Sequence, residues 1–360
     1  MKNPPWENRQ RISRKVLESN HLDGILFIGL ENIRYLCGFT GSDGAFLLTQ
    51  EESFFLTDSR YWTQSEKEVK SSHILRYQKK LDGIVSTLRE LKLKRVGFDS
   101  LAFPFALYQS LQERLAGEIE LVPLEREIKY LRAIKDQQEM FFIRRAIDIA
   151  SKSFEHILSI AKEGISEREI AIEMEFFMKK DGSEAMGFDI IVASGNHSAH
   201  PHGRAGLKKI ERGDFVLIDF GSTFEGYHSD QTRTIICGEP SPDQKKVYEI
   251  VKEAHDRAIQ KVRPGLTFQE VDQAARDYIQ EHGYAEYFGH GTGHGIGLAV
   301  HEEPLINKEN GEPLQEGMVF TIEPGIYIPE WGGVRIEDMV RVTSQGVEIL
   351  TYLPTDLRII

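Results

Sequence analysis

The hydrophobic pattern of this chain changes character near residues 125–135, and that change divides whatever the chain folds into. Before it, short apolar runs alternate with helical stretches. Gly24-Ile-Leu-Phe-Ile-Gly29 is a run bounded by glycines, the mark of a buried strand. Gly44–Thr49 and Ser53–Thr57 are joined by Gln50-Glu51-Glu52, a spacing that predicts a hairpin. Arg95–Phe98 and Ile119–Val122 read as further strands, and Leu81–Leu93 and Leu107–Leu115 as helices. After the change, Met140, Ile143, Ile147 and Ala150 recur at three- and four-residue intervals, so Lys135–Lys162 is expected to be one long helix.

Three more helix starts carry capping chemistry. Ser166-Glu-Arg-Glu169 and Thr267-Phe-Gln-Glu270 match the capping box, in which hydroxyl and glutamate satisfy each other's backbone N–H groups. Ser241-Pro242 sets proline at the first helical position. Strands are expected between these helices at Phe188–Ala193, Phe215–Phe220, Thr232–Ile236, Met318–Ile322 and Val334–Val340. The chain has 360 residues, enough for two cores. The expectation is an N-terminal mixed α/β domain over 1–130 and a C-terminal α+β domain of helices over sheet, 131–360.

The net charge of −12 repels nucleic acid and anionic membrane, and it welcomes a cation. No stretch approaches the roughly 18 apolar residues of a membrane span, and the first ten residues lack a signal peptide's apolar core. A cytoplasmic protein is expected. Cys37 and Cys237 stand far apart and suggest neither a disulfide framework nor a thiolate metal site.

The chemistry-bearing residues sit at strand ends. Asp219 closes the apolar run Phe215-Val-Leu-Ile218, and a carboxylate there is costly unless paired or metal-bound. Asp230 precedes the next β-branched run. Taken alone, the two aspartates also fit turn carboxylates. Gly289-His-Gly-Thr-Gly-His-Gly-Ile-Gly297 holds five glycines in nine residues and places His290 and His294 on a backbone that can approach a ligand closely, with His301 just beyond. It lacks the helix that a dinucleotide fingerprint needs. Glu323 ends a strand, and Glu337 lies two residues after Arg335, where side-chain alternation puts the two on one face. A surface ion pair would explain that pair as well. Together, two aspartates, a histidine and two glutamates form an oxygen-rich set with one imidazole, which suits two divalent ions such as Mn²⁺, Co²⁺, Zn²⁺ or Fe²⁺.

The ordered series Asp219, Asp230, His294, Glu323, Glu337 resembles the dinuclear ligand set of the pita-bread metallopeptidases. The motifs Ile218-Asp-Phe-Gly221, Ser229-Asp-Gln-Thr-Arg-Thr234, Gly291–Leu298, Thr321-Ile-Glu-Pro-Gly325 and Val334-Arg-Ile-Glu-Asp338 carry that resemblance from about residue 135 onward. Asn32–Ser42 resembles the N-terminal domain of the proline-specific branch, which includes aminopeptidase P and prolidase. The resemblance implies a pita-bread catalytic domain and hydrolysis of the Xaa-Pro bond in a proline-containing peptide. It implies two metal ions, Mn²⁺ first, with Asp219 on one, His294 and Glu323 on the other, and Asp230 and Glu337 on both. His202, in Pro201-His-Gly203, and His301 would contact the substrate carbonyl. His290 would lie near the proline pocket, Arg335 would orient Glu337 and the substrate's far end, and Glu323 would shuttle the proton. A homodimer is implied by the N-terminal domain. Dipeptide enzymes of this family often carry an arginine after the His-Glu motif, where this chain has Leu305, with Lys308 the nearest cation. That favours an aminopeptidase P-like enzyme, with an Xaa-Pro dipeptidase as the alternative. A metal-free creatinase-like enzyme or a binding module of the same fold would have lost ligands that this chain keeps.

Overall fold

The computed structural model describes residues 5–360. Residues 1–4, where the N-terminal stretch read for a signal peptide begins, lie outside the described residues. The chain divides into two compact units, Met1–Arg132 and Ala133–Ile360.

The first unit contains α1 (Pro5–Asn20), β1 (Gly24–Phe27), α2 (Leu30–Cys37), β2 (Ala45–Thr49), β3 (Ser53–Thr57) and α3 (Trp62–Glu68). It continues with β4 (His73–Arg76), α4 (Lys80–Glu90), β5 (Arg95–Asp99), α5 (Phe105–Leu115), β6 (Glu120–Leu124) and α6 (Arg126–Lys129). The strands make one mixed sheet, ordered β4-β3-β2-β1-β5-β6. The hairpin forms as the spacing predicts, with Phe46 opposite Phe55. Leu26, Leu47, Leu56 and Val96 bury one face of the sheet against Ile84 and Leu88 of α4 and Leu111 and Leu115 of α5.

The second unit opens on α7 (Gln137–Ile160) and α8 (Glu167–Lys180), followed by β7 (Ile191–Ser194), β8 (Phe215–Phe220), the small hairpin β9 (Thr223–Phe224) and β10 (Tyr227–His228), and β11 (Gln231–Ile236). Next come α9 (Pro242–Lys261), α10 (Phe268–Glu281), β12 (Gly293–Gly295), β13 (Glu302–Ile306) and β14 (Val319–Ile322). The unit closes with β15 (Gly325–Ile328), β16 (Gly332–Arg335), β17 (Asp338–Thr343), β18 (Gly346–Ile349) and β19 (Arg358–Ile359). One sheet runs β19-β11-β8-β7 and another β13-β12-β14-β17-β18. The capping boxes at Ser166, Ser241 and Thr267 all form, and Asp136 makes a fourth at the start of α7. Val216, Ile218 and Phe220 point into a core with Ile149, Phe154 and Ile157 of α7 and Ile170 and Met174 of α8. Side chains alternate along a strand, so Asp219 is turned to the opposite face of β8.

Two expected strands are corrected. Phe188–Ala193 is strand only from Ile191, because Phe188 and Asp189 line cavities instead of pairing. Val334–Val340 is not one strand. Its first part, β16, pairs with β15, and its second part, β17, pairs with β14, so the chain changes sheets at Ile336-Glu337. The alternation that put Arg335 and Glu337 on one face therefore does not apply. Both cysteines are free and buried, and burial pushes the Cys37 thiol up to about 12. Among the described residues no helix is long and apolar enough to cross a membrane.

Candidate metal centre

Register brings the strand-end carboxylates together. In the antiparallel β8–β11 pair, Thr232 lies opposite Asp219, so Asp230 enters the same end of the sheet. In the antiparallel β14–β17 pair, Ile322 lies opposite Asp338. The residue after one and the residue before the other, Glu323 and Glu337, thus emerge side by side. His294 arrives on β12, whose Gly295 pairs with Phe320 of β14. Glycine serves strand packing here: a Cβ on Gly293 would sit 1.9 Å from the Thr321 carbonyl oxygen. The closeness expected toward a ligand is used against neighbouring backbone.

All nine sequence-predicted residues line one cavity of about 530 Å³: Asp219, Asp230, His294, Glu323, Glu337, His202, His290, His301 and Arg335. Ligand atoms of Asp230, His294 and Glu337 lie within 4.8 Å of one another. Oδ2 of Asp219 accepts from Nη2 of Arg335 at 2.6 Å, and Oε2 of Glu337 accepts from the Thr232 hydroxyl at 2.7 Å. The Thr321 hydroxyl donates to Oε1 of Glu323 at 3.2 Å.

The donor set fits a cation. Oδ1 of Asp219 and Oδ1 of Asp230 are buried without a hydrogen-bond partner. Nδ1 of His294 lies 3.0 Å from the Gly295 carbonyl oxygen, so it carries the ring proton and leaves Nε2 as a lone pair. That lone pair faces Oε1 of Glu323 at 3.4 Å and Oδ2 of Asp230 at 3.6 Å. Burial holds the His294 pKa below its usual value, which keeps the ring neutral. Burial, with repulsion from Glu337 and Asp219, pushes Asp230 well up. Burial, with repulsion from Glu323 and Asp219, does the same to Glu337. Buried acceptors facing one another without donors are stabilised by divalent ions between them.

The other residues are arranged around this set. The His301 ring packs on His294 with centroids 4.2 Å apart, and burial beside His294 lowers its pKa. Of His197, His200 and His202 in this loop, only His202 lines the cavity, while His197 binds the buried Glu167 at 3.0 Å. Nε2 of His290 is 3.0 Å from the Tyr327 hydroxyl, which accepts from Nη1 of Arg335 at 2.7 Å. The expected link from Arg335 to Glu337 runs through Thr232, which accepts from Nε of Arg335 at 3.0 Å.

Sequence reasoning gave no role to Thr232 and Thr321, although both lie inside quoted motifs, and it missed Tyr327, which lies outside them. It also missed the buried pair of Lys135 and Glu302, 2.8 Å apart, which anchors the segment beside His301. Behind the centre, Arg233 holds Asp338 at 2.6 Å.

Two family descriptions match the chain: metallopeptidase family M24 over residues 142–344, and the creatinase/prolidase N-terminal domain over residues 9–134. The Xaa-Pro dipeptidase of Pyrococcus horikoshii is 40% identical over 341 residues, covering 95% of this chain and 96% of its own. Among solved structures, a Xaa-Pro dipeptidase from Bacillus anthracis matches with a TM-score of 0.95 at 42% identity, covering 99% of this chain and 100% of that one. An X-Pro aminopeptidase from Thermotoga maritima matches with a TM-score of 0.89 at 38% identity, covering 98% and 99%.

Proposed function

Because this chain belongs to metallopeptidase family M24, we propose that it hydrolyses the bond before proline, acting on Xaa-Pro dipeptides with divalent metal. The fold is that of the family, a creatinase-type N-terminal unit and a pita-bread unit. The observation that carries the proposal is the convergence of the five carboxylate and imidazole ligands with three further histidines on one cavity. The alternative, an Xaa-Pro dipeptidase, is favoured over the aminopeptidase P-like expectation, since relatives matched over nearly the whole chain include Xaa-Pro dipeptidases from two Pyrococcus species and from Bacillus anthracis. The Thermotoga match keeps cleavage of longer peptides as a second reading.

In this reading Asp219 would help hold one ion, His294 and Glu323 the other, and Asp230 and Glu337 would serve both. When bound, two divalent ions supply an acidified water and polarise the scissile carbonyl. Glu323 takes the proton of the attacking water on a carboxylate oxygen and delivers it to the leaving nitrogen. That delivery matters because the Xaa-Pro nitrogen has no N–H of its own. His202 and His301 donate to the carbonyl oxygen as it gains charge. Arg335 keeps Asp219 oriented through its hydrogen bond to Oδ2. The oxygen-rich donors with one imidazole support Mn²⁺ or Co²⁺, with Zn²⁺ and Fe²⁺ as further fits. The creatinase-type N-terminal unit is the ground for reading the protein as a homodimer.

The test is hydrolysis of Ala-Pro against Ala-Pro-Ala after chelation and reloading with Mn²⁺ or Co²⁺. Chelation should abolish cleavage, reloading should restore it, and the dipeptide should be preferred. Full activity in metal-free protein would sink the proposal.

A further inference from the structure

A substrate that ends at proline brings a free carboxylate into the cavity, and a carboxylate leaving water needs a cation or several donors. Two guanidinium groups line the cavity, Arg335 and Arg204. Arg335 is already committed. Four of its N–H groups reach Thr232, the Pro201 carbonyl, Tyr327 and Asp219, out of the five that the side chain owns.

Arg204 is different. It is exposed, and among the described residues no hydrogen bond, ion pair or ring contact holds its side chain. Its backbone is fixed by a bridge to Ile191, two residues beyond His202. With Phe188, Asp189 and Ile191 it also lines an adjoining groove of about 460 Å³, so it stands at the junction of the two spaces. Leu305 lines the cavity as well but carries no charge. Lys308 is exposed and lies outside the lining.

We propose that Arg204 binds the free carboxylate of the residue that follows the scissile bond, and thereby favours substrates that end there. This rests on the proposed Xaa-Pro hydrolysis. A peptide that continues past proline presents an amide at the same place, which accepts more weakly and carries no charge. The guanidinium, with its paired N–H groups, is suited to the planar carboxylate.

The experiment measures binding of Ala-Pro with its scissile carbonyl reduced to methylene, and of the carboxamide of the same compound, to Mn²⁺-loaded protein by calorimetry. Wild type, Arg204→Ala, Arg204→Lys and Lys308→Ala are compared. Wild type should prefer the acid. Arg204→Ala should lose roughly 10- to 100-fold on the acid and little on the amide. Arg204→Lys should keep part of the preference, and Lys308→Ala should match wild type. An absent acid preference in wild type, equal losses on both ligands in Arg204→Ala, or a loss carried by Lys308→Ala overturns the proposal. Cleavage of Ala-Pro by wild type is scored separately. Its absence sinks the functional reading, whereas the acid-to-amide ratio decides the role of Arg204. A wild type that cleaves Ala-Pro but binds neither ligand overturns the role of Arg204 alone.

Discussion

The Thr232 hydroxyl donates to Oε2 of Glu337 at 2.7 Å. Because the threonine oxygen also accepts from Nε of Arg335, whose Nη2 donates to Asp219, one small side chain links Glu337 to Arg335 and, through it, to Asp219. Such groups behind a ligand fix its orientation and its basicity.

Thr232→Val removes that hydroxyl while keeping the side chain's shape. Metal affinity should fall roughly 10- to 100-fold, with Thr232→Ser recovering most of it. Titration of metal-free protein with Mn²⁺ checks this. Unchanged affinity in the valine variant would show that Glu337 needs no help from Thr232.

His202→Ala and His301→Ala should keep their metals and lose turnover by roughly 10²–10³-fold, the penalty for one donor to a developing oxyanion. Neither belongs to the proposed five-residue ligand set, and both line the cavity. Metal content, melting temperature and kcat are measured together. A variant that loses its metals, or that keeps wild-type turnover, contradicts the role given to that histidine.

The proposed ligands were legible in local pattern: Asp219 and Glu323 end apolar strands, Asp230 precedes a β-branched run, His294 stands in a glycine-rich segment and Glu337 in a strand-like run. Asp219 interrupts Phe215–Phe220, and alternation alone turns it away from Ile218 and Phe220. The supporting residues were not legible because their partners are remote: Tyr327 meets His290 across 37 positions, and Thr232 meets Glu337 across 105. The sheet change at Glu337 was hidden because Val334–Val340 keeps a strand's composition on both sides of the break. Helix α1 was missed for another reason. Its buried face is Arg9, Gln10, Ser13 and Leu17, so no apolar stripe marks it. These polar groups are buried because Arg9 and Gln10 donate to the carbonyls of Tyr35 and Leu36 at the end of α2.

Gly293 and Gly289 lie in the same glycine-rich segment and should respond oppositely to alanine. At Gly293 the new Cβ meets the Thr321 carbonyl oxygen at 1.9 Å, backbone that cannot swing aside. At Gly289 nothing lies within 4 Å. Gly293→Ala should cost about 3 kcal/mol or more by overpacking, and Gly289→Ala should stay within about 0.5 kcal/mol. Denaturant melts of metal-free protein compare them. Equal stabilities would mean that β12 can shift away from β14.

The last prediction concerns His255, fully buried on α9. Its Nδ1 lies 3.1 Å from Asp256, and its Nε2 lies 3.1 Å from Asp338, which also binds Arg233. Burial alone would lower the imidazole pKa, but the bonds to Asp256 and Asp338 outweigh it and raise the value, against the opposing charge of Arg233. Asp338 would itself be raised by burial, yet Arg233 and His255 bring it to about 2. A histidine raised on folding binds its proton more tightly in the native state. Its stabilisation is fully present below the unfolded value of about 6.5 and is lost as pH rises through the folded value. The Asp338 contribution has the other sign: it is present above the unfolded carboxylate value and lost only in strong acid, so it stays constant across this window. His255→Gln keeps a neutral polar group and removes the titration. Chelated wild type and variant should therefore differ most in melting temperature near about pH 6, with the gap narrowing as pH rises. Taking the difference between the two proteins cancels the titration of the carboxylates at the proposed metal centre, which both retain. A gap that stays constant from about pH 6 to about pH 9 would show that His255 does not gain its proton on folding.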